Sequence, residues 1–407
     1  MGALQSSHRQ AQFTALGKMG WLIALIMGSV FLVPMPVDAI FGLGLLLLLL
    51  THTEAAESAR RITRDRLFWC GSALLLYLGA SAFWSLGMDW MGVTQIWLRI
   101  AFIMTFTLVV AASLSELPGC ETRIRHAVIL GVLVCALITI VWFYLVPPAD
   151  ARLQGLFRFN NPGRAGRMYS ATLPFALCVI QVDRGRWRAL GVCALVAAGV
   201  ALLLTDTRAA WLAGAVGMMV YGIATHQRDS LRFTGVLVFC CVVAALFALW
   251  AIDNTTVRSS LFPRGDSFRL GIWSEHFKHV LEGNYWFGRG QLVENWVVVD
   301  GHRFRGAHNM YLSILGQGGV VGLLLFLTTL AWVGIRLLLH LDLSQARLGL
   351  GLLLAGCAAF LLNGDRIIDK VNFVWFVLWF PMGIALAVPN TRRHPGTTSQ
   401  PSAALND

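Results

Sequence analysis

The sequence predicts an all-α integral membrane protein, and three observations carry that prediction. Of its 407 residues, 57% are hydrophobic and 13% charged. The mean hydropathy is +0.67, and long apolar runs recur along the whole chain. A helix needs roughly 20 mostly apolar residues to cross about 30 Å of hydrocarbon with every backbone group hydrogen-bonded. Runs that meet or approach this length lie at about 19–34, 37–52, 67–86, 96–115, 126–146, 168–182, 187–204, 209–226, 231–252, 310–338, 345–362 and 372–389. About twelve spans follow, the first two short and parted by Pro34 and Pro36. The first run shows no clear small-residue cleavage site and flows into the next, so it reads as a retained helix. The expected organisation is transmembrane helices over 1–252, a loop domain over 253–309, further helices over 310–390 and a disordered tail at 391–407.

Cysteine usage points away from zinc and from a disulfide framework. The eight cysteines fall mostly within apolar segments, with no CxxC spacing and no histidine partner, which is the pattern of buried filler. Orientation comes from Lys and Arg in the short connections, which favour the cytoplasm. Alternate connections carry arginine: Arg60, Arg61, Arg64 and Arg66; Arg123 and Arg125; Arg184, Arg186 and Arg188; Arg228 and Arg232; Arg336 and Arg347; Arg392 and Arg393. These mark the inside, which places the 391–407 tail in the cytoplasm.

The remaining connections face out, yet they hold fourteen cations. Arg152, Arg158, Arg164 and Arg167 fall between the fifth and sixth spans, and Arg208 follows the seventh. Arg258, Arg264, Arg269, Lys278, Arg289, Arg303 and Arg305 occupy the long loop, and Arg366 and Lys370 precede the last span. Long loops translocate despite their charge, but that does not cover Arg208 in a very short connection or the tight turn Asn160-Asn161-Pro162-Gly163-Arg164. Guanidinium is suited to planar, permanently charged recognition of phosphate. Two readings follow: a shared site for an anionic ligand at the outer boundary, or scattered surface arginines.

The loop has internal texture. Phe268, Ile272, Phe277, Val280 and Leu281 recur at helical spacing, as in an amphipathic helix lying on the outer surface. Ser267 would be its N-cap, Arg269 would lie in its first turn, and His276 and His279 would face solvent. His308 stands where the loop re-enters the membrane, followed by Asn309 and a span with Gly316, Gly318, Gly319 and Gly322. Small residues at that density let helices approach closely. A histidine there is either a structural group or a base near neutral pH.

His308-Asn309 followed after nine residues by Gly319-Val320-Val321-Gly322 resembles the histidine motif of bacterial O-antigen ligases. The superfamily also holds O-antigen polymerases and O-linked oligosaccharyltransferases. Thr207-Arg208-Ala209-Ala210-Trp211 resembles its Ser/Thr-Arg element, with threonine in place of the commoner serine. Arg269-Leu270-Gly271-Ile272-Trp273 resembles its Arg-x-x-x-Trp element, and Phe287-Gly288-Arg289-Gly290 its glycine turn. Twelve spans with one large periplasmic loop also match, so the likeness covers nearly the whole chain.

The resemblance implies a GT-C-like glycosyltransferase of the bacterial inner membrane with its active site on the periplasmic face. Its donor would be a glycan on undecaprenyl diphosphate and its acceptor the lipid A core. Arg208 and Arg269 would hold the diphosphate, and His308 would act as base or positioner for the acceptor hydroxyl. Arg305, Arg303, Arg289, Arg164 and Arg158 are further candidates for substrate phosphates, with Asn309 beside the base. Asp365 and Asp369 would orient a catalytic residue or pair locally with Arg366 or Lys370. Direct displacement inverts the anomeric centre. The implied enzyme uses no metal and no cofactor, acts as a monomer among membrane lipids, and has no nucleic-acid partner. An O-antigen polymerase and an O-linked oligosaccharyltransferase are the nearest alternatives. A lipid-linked sugar transporter is a distant one, expected to show deep cations and repeat symmetry.

Overall fold

The computed structural model describes Lys18 and residues 20–34, 42–45, 53–226, 268–364 and 366–391. The expected span at 231–252, the loop as far as Ser267, Asp365, and the tail from 392 lie outside the described residues. The described chain is mostly helical. Its helices are α1 (Gly20–Ser29), α2 (Thr53–Ile62), α3 (Arg66–Ala80), α4 (Trp90–Glu116), α5 (Cys120–Leu145), α6 (Pro162–Val182), α7 (Gly185–Leu204) and α8 (Arg208–His226). After the loop helix α9 (Arg269–Glu282) come α10 (Met310–Leu338), α11 (Ser344–Leu362) and α12 (Phe380–Thr391), the last preceded by a π-helical turn, Trp375–Trp379.

Among the described residues, seven helices are long and apolar enough to cross a membrane, so this is a multi-pass membrane protein. Several start earlier than the apolar runs do, because polar caps set helix ends while hydropathy sets only the part in hydrocarbon. Asp89 Oδ1 accepts the Gly92 amide at 2.6 Å and starts α4 at Trp90. Asn161 Oδ1 accepts the Gly163 amide at 2.9 Å and Pro162 takes the first helical position, so α6 begins six residues before the expected 168. Arg164 and Arg167, expected in a connection, therefore stand in the opening turns of a helix.

The arginine-rich connections gather at one end of the bundle. Arg61 pairs with Glu116 at 2.8 Å, Arg336 with Asp65, and Arg125 with Glu121. Arg125 and His126 both reach Asp183 at 3.4 Å, and the Ser344 hydroxyl donates to Glu121 at 3.0 Å. The Arg125 side chain, 3% exposed, is tolerated there because it meets carboxylates. Within the bundle α8 lies close on α11, where a Cβ at Gly217 would come within 3.0 Å of Ala355 and one at Gly351 within 3.1 Å of the Gly217 carbonyl. Small residues at this crossing let the backbones approach.

The opposite end departs from the all-α expectation. Strands β1 (Trp296–Val299) and β2 (His302–Arg305) pair antiparallel, with Val299 opposite His302. Asp300 and Gly301 between them both have positive φ, 50° and 78°, as a two-residue hairpin turn requires. Helix α9 forms, but its faces differ from the expected ones. Phe268 is the N-cap residue, at φ 61°. Ile272, His276 and Val280 are buried on one stripe, whereas Phe277 and Leu281 are exposed. His276 is 4% exposed because it stands one turn from both Ile272 and Val280.

Helix α10 is broken at Gly319 (φ 64°, ψ −165°), and the loop fills the break. The Arg289 and Gly290 amides donate to the Gly316 and Gln317 carbonyls at 2.9 Å each. In return the Val320 and Val321 amides donate to the Tyr285 and Trp286 carbonyls at 2.9 and 3.2 Å. Gly318 and Gly322 pack on Tyr77 and Leu78 of α3, as close helix packing predicts, but Gly319 does a different job. A Cβ at Gly319 would collide with the Trp286 carbonyl, and one at Gly288 with the Gln317 carbonyl. Gly319→Ala is expected to lower stability by more than about 2 kcal/mol, from the positive φ and the overlap together. Gly316→Ala, whose Cβ would meet only Asn295 Nδ2 at 3.9 Å, should be nearly neutral, and thermal unfolding in detergent compares the two.

Candidate functional site

The loop end of the bundle holds a cavity of about 470 Å³ with an excess of positive charge in its wall. Arg99 comes from α4, Arg164 and Arg167 from α6, Arg305 from β2, and Arg366 and Lys370 from the segment between α11 and α12. Among the described residues of the wall, Arg158 completes the cations, against Glu294 and Asp369. Asn295, Ser313, Gln317 and Asn372 add neutral hydrogen-bonding groups. Arg99 lies nine residues beyond Trp90 along α4, about 14 Å down the helix axis at the usual rise.

Not every cation in this wall is committed to a ligand. Arg158, 5% exposed, donates to the carbonyls of Val33, Pro34 and Val371 at 3.0–3.2 Å, which makes it a tether between segments. Arg305 pairs with Glu294 at 2.6 Å, and the Trp296 indole donates to the same carboxylate at 3.0 Å. That indole bond and then the Arg305 guanidinium hold the Glu294 carboxyl below the usual carboxylate range. The pair therefore persists until the pH falls below that range. Asp369 organises its own turn, accepting from the Lys370 amide at 2.8 Å and from Asn372 Nδ2 at 2.7 Å.

His308 adjoins this cavity, since Gly306 and Met310 on either side of it lie in the wall. Its backbone is held in the left-handed region at φ 48°, which favours glycine over histidine. The neighbours are fixed from three directions. Trp273 Nε1 donates to the Ala307 carbonyl at 3.1 Å, the Gly306 amide donates to the Asn295 carbonyl at 2.7 Å, and Asn309 caps α10. Asn309 Oδ1 accepts from the Tyr311 and Leu312 amides at 3.0 and 3.1 Å, so this oxygen is engaged as a helix cap. The Trp273 bond explains the Arg-x-x-x-Trp spacing. It ties the helix whose first turn carries Arg269 to the backbone beside His308.

Arg208 opens α8, where unpaired backbone N–H groups favour anions. The turn before it is strained, with Asp206 at φ 45°. Arg152 holds that turn: its Nε donates to the Thr205 carbonyl at 3.0 Å, and its Nη2 to the Asp206 carbonyl at 3.2 Å and to Thr207 Oγ1 at 3.1 Å. Trp211 Nε1 reaches back to the Leu202 carbonyl at 3.0 Å, which accounts for the tryptophan of that element.

Of the residues read from sequence as site candidates, the cavity wall gathers Arg158, Arg164 and Arg305. Arg208, Arg269, His308 and Asn309 are outside that wall. So is Arg289, whose amide serves the α10 junction, and so is Arg303, whose guanidinium lies 5.2 Å over the Trp296 ring. Asp365 lies outside the described residues. Sequence reading passed over Arg99 and left Arg167, Arg366 and Lys370 without a site. A cation inside an apolar run was the signal for Arg99. The hairpin was signalled by Asp300-Gly301 after three valines.

These features define a class: a multi-pass membrane protein with a cation-rich cavity at one end of its helical bundle, beside a strained, backbone-locked histidine. Comparison with known proteins narrows it. Residues 193–327, which include Arg208, Arg269, His308 and the break at Gly319, match the family model for O-antigen ligases. An O-antigen ligase of Pseudomonas aeruginosa is 26% identical over 271 residues, covering 64% of this chain and 62% of that protein. The chain thus spans less than two thirds of that relative.

Arg152→Ala is expected to destabilise the protein by about 1.5–3 kcal/mol, because three acceptors lose a charged donor. Arg152→Lys should recover only part of this, since an ammonium cannot reproduce the forked contact. Thermal unfolding of the purified variants in one detergent checks the order.

Proposed function

We propose that the protein transfers a preassembled glycan from undecaprenyl diphosphate to the lipid A core, as an inverting O-antigen ligase in the bacterial inner membrane. The observation that carries this reading is the cation-rich cavity beside His308, in a chain of which residues 193–327 match the O-antigen ligase family model. In this reading the chain has twelve spans and the 253–309 loop lies on the periplasmic side.

The leaving group is already a diphosphate. The chemistry then requires that its growing negative charge be neutralised, that the acceptor be aligned and that a proton be removed. Arg208, at the N-terminus of α8, and Arg269, in the first turn of α9, hold the diphosphate. The imidazole of His308 takes the proton of the acceptor hydroxyl as its oxygen attacks the anomeric carbon from the face opposite the leaving diphosphate. The single displacement inverts that carbon. The indole bond from Trp273 to Ala307 supports the pairing of Arg269 with His308. The proposed reaction assigns no step to a metal or cofactor.

The test is transfer by the purified protein in proteoliposomes, given a glycan on undecaprenyl diphosphate and a lipid A core acceptor, with EDTA present. Transfer to the core is expected. His308→Ala should reduce it by about a hundredfold to ten-thousandfold, the usual worth of a general base, while elution volume and melting temperature stay unchanged. Growth of the donor glycan in place of transfer to the core would favour a polymerase. No transfer by folded protein, or full activity in both Arg208→Ala and His308→Ala, would overturn the proposal.

A further inference from the structure

We infer that the segment from Phe277 to Phe287, the C-terminal half of α9 and the turn that follows it, is seated in the lipid leaflet at the loop end of the bundle, with Phe277, Leu281 and Trp286 against acyl chains. The partner is the bilayer itself. The loop is held to the membrane by its own side chains as well as by the helices it connects.

Three observations carry it. The first is the division of α9 into faces. The stripe read from the sequence joined Ile272 and Val280 to Phe277 and Leu281, but the structure separates them. Ile272, His276 and Val280 face the protein, whereas Leu270, Phe277 and Leu281 recur at spacings of seven and four along a second face and are exposed, Leu281 by 62%. The charged side chains stand apart from both, with Lys278 paired to Glu275 at 2.6 Å. A bare apolar stripe beside a charged one is the pattern of a helix lying in a membrane interface. The second is continuity. Four residues after Leu281 come Tyr285, Trp286 and Phe287, all exposed, Trp286 by 51%. The Tyr77 hydroxyl of α3 reaches the Phe287 carbonyl at 3.3 Å, and the Tyr77 ring lies 6.1 Å from that of Trp84. Phe83 and Trp84 beyond α3, and Trp90 opening α4, are exposed as well. Aromatic side chains gathered in this way mark the boundary between hydrocarbon and water, and the turn joins their row. The third is depth. Arg336, paired with Asp65, belongs to the charged layer at the opposite end of α10. Val320 and Val321, which donate to the Tyr285 and Trp286 carbonyls, stand sixteen and fifteen residues before it. That is about 22–24 Å along the axis at the usual rise, within the roughly 30 Å of hydrocarbon. A turn at such a depth needs its backbone polar groups bonded inside the protein, and the four bonds to the break in α10 meet this need at Tyr285, Trp286, Arg289 and Gly290.

Photo-cross-linking of the full-length protein in nanodiscs of phosphatidylethanolamine and phosphatidylglycerol tests this position by position. A benzophenone amino acid replaces Phe277, Leu281 or Trp286 in turn, and Lys278 in a control, and the intact mass is measured after irradiation. All four side chains are exposed, and each position is read separately, so one poorly folded variant leaves the other two decisive. A mass increase of one phospholipid is expected at Phe277, Leu281 and Trp286, several-fold more frequent than at Lys278. The inference is overturned by phospholipid adducts no more frequent at the three positions than at Lys278. It is overturned equally by cross-links from those positions to residues 227–267 or to a second copy of the chain, because protein would then cover this face.

Discussion

Four backbone hydrogen bonds between the 284–290 turn and the break in α10 hold the loop end of this protein together. A broken helix leaves carbonyls before the break and amides after it without partners, and each such group costs about 1–3 kcal/mol if buried unpaired. The turn supplies two donors and two acceptors in register, and Gly288 and Gly319 allow it to come close enough. Tyr77 of α3 adds a hydroxyl bond to the Gly318 carbonyl at 2.7 Å. The junction anchors α10, whose N-cap residue Asn309 directly follows His308. The loop is bolted to the bundle by backbone contacts, so the position of the histidine is relayed through main chain.

Charge at the two ends of the bundle is handled differently. At the end with the arginine-rich connections, Arg61 and Arg336 meet Glu116 and Asp65 of other segments, and Arg125 meets Glu121 on its own helix and Asp183 at the end of α6. At the loop end the described residues of one cavity wall include seven cations and two carboxylates, one of which pairs with Arg305 while the other bonds within its own turn. A concentration of like charge at a membrane boundary is costly unless an anion completes it.

The membrane class was legible because hydropathy is a strong signal, and the motifs placed Arg208, Arg269 and His308 on or beside structured elements. Helix ends were less legible. The Asn161 cap extends α6 beyond hydrocarbon and carries Arg164 and Arg167 into helical positions, where they join Arg99, already inside its expected span, around a cavity that no linear spacing reveals. His276 illustrates the limit on a single helix: its polarity suggested solvent, but its register with Ile272 and Val280 buried it. The glycines at 316–322 looked alike in sequence. One of them marks a helix break, which depends on a turn some thirty residues earlier in the chain.

A structure of the protein with undecaprenyl diphosphate and a phosphorylated lipid A bound together tests the central claim most directly. The account predicts the diphosphate within hydrogen-bond distance of Arg208 and Arg269, and an acceptor hydroxyl within about 3.2 Å of a His308 ring nitrogen. A diphosphate bound away from Arg208 and Arg269, or a His308 ring turned away from both lipids, would contradict it.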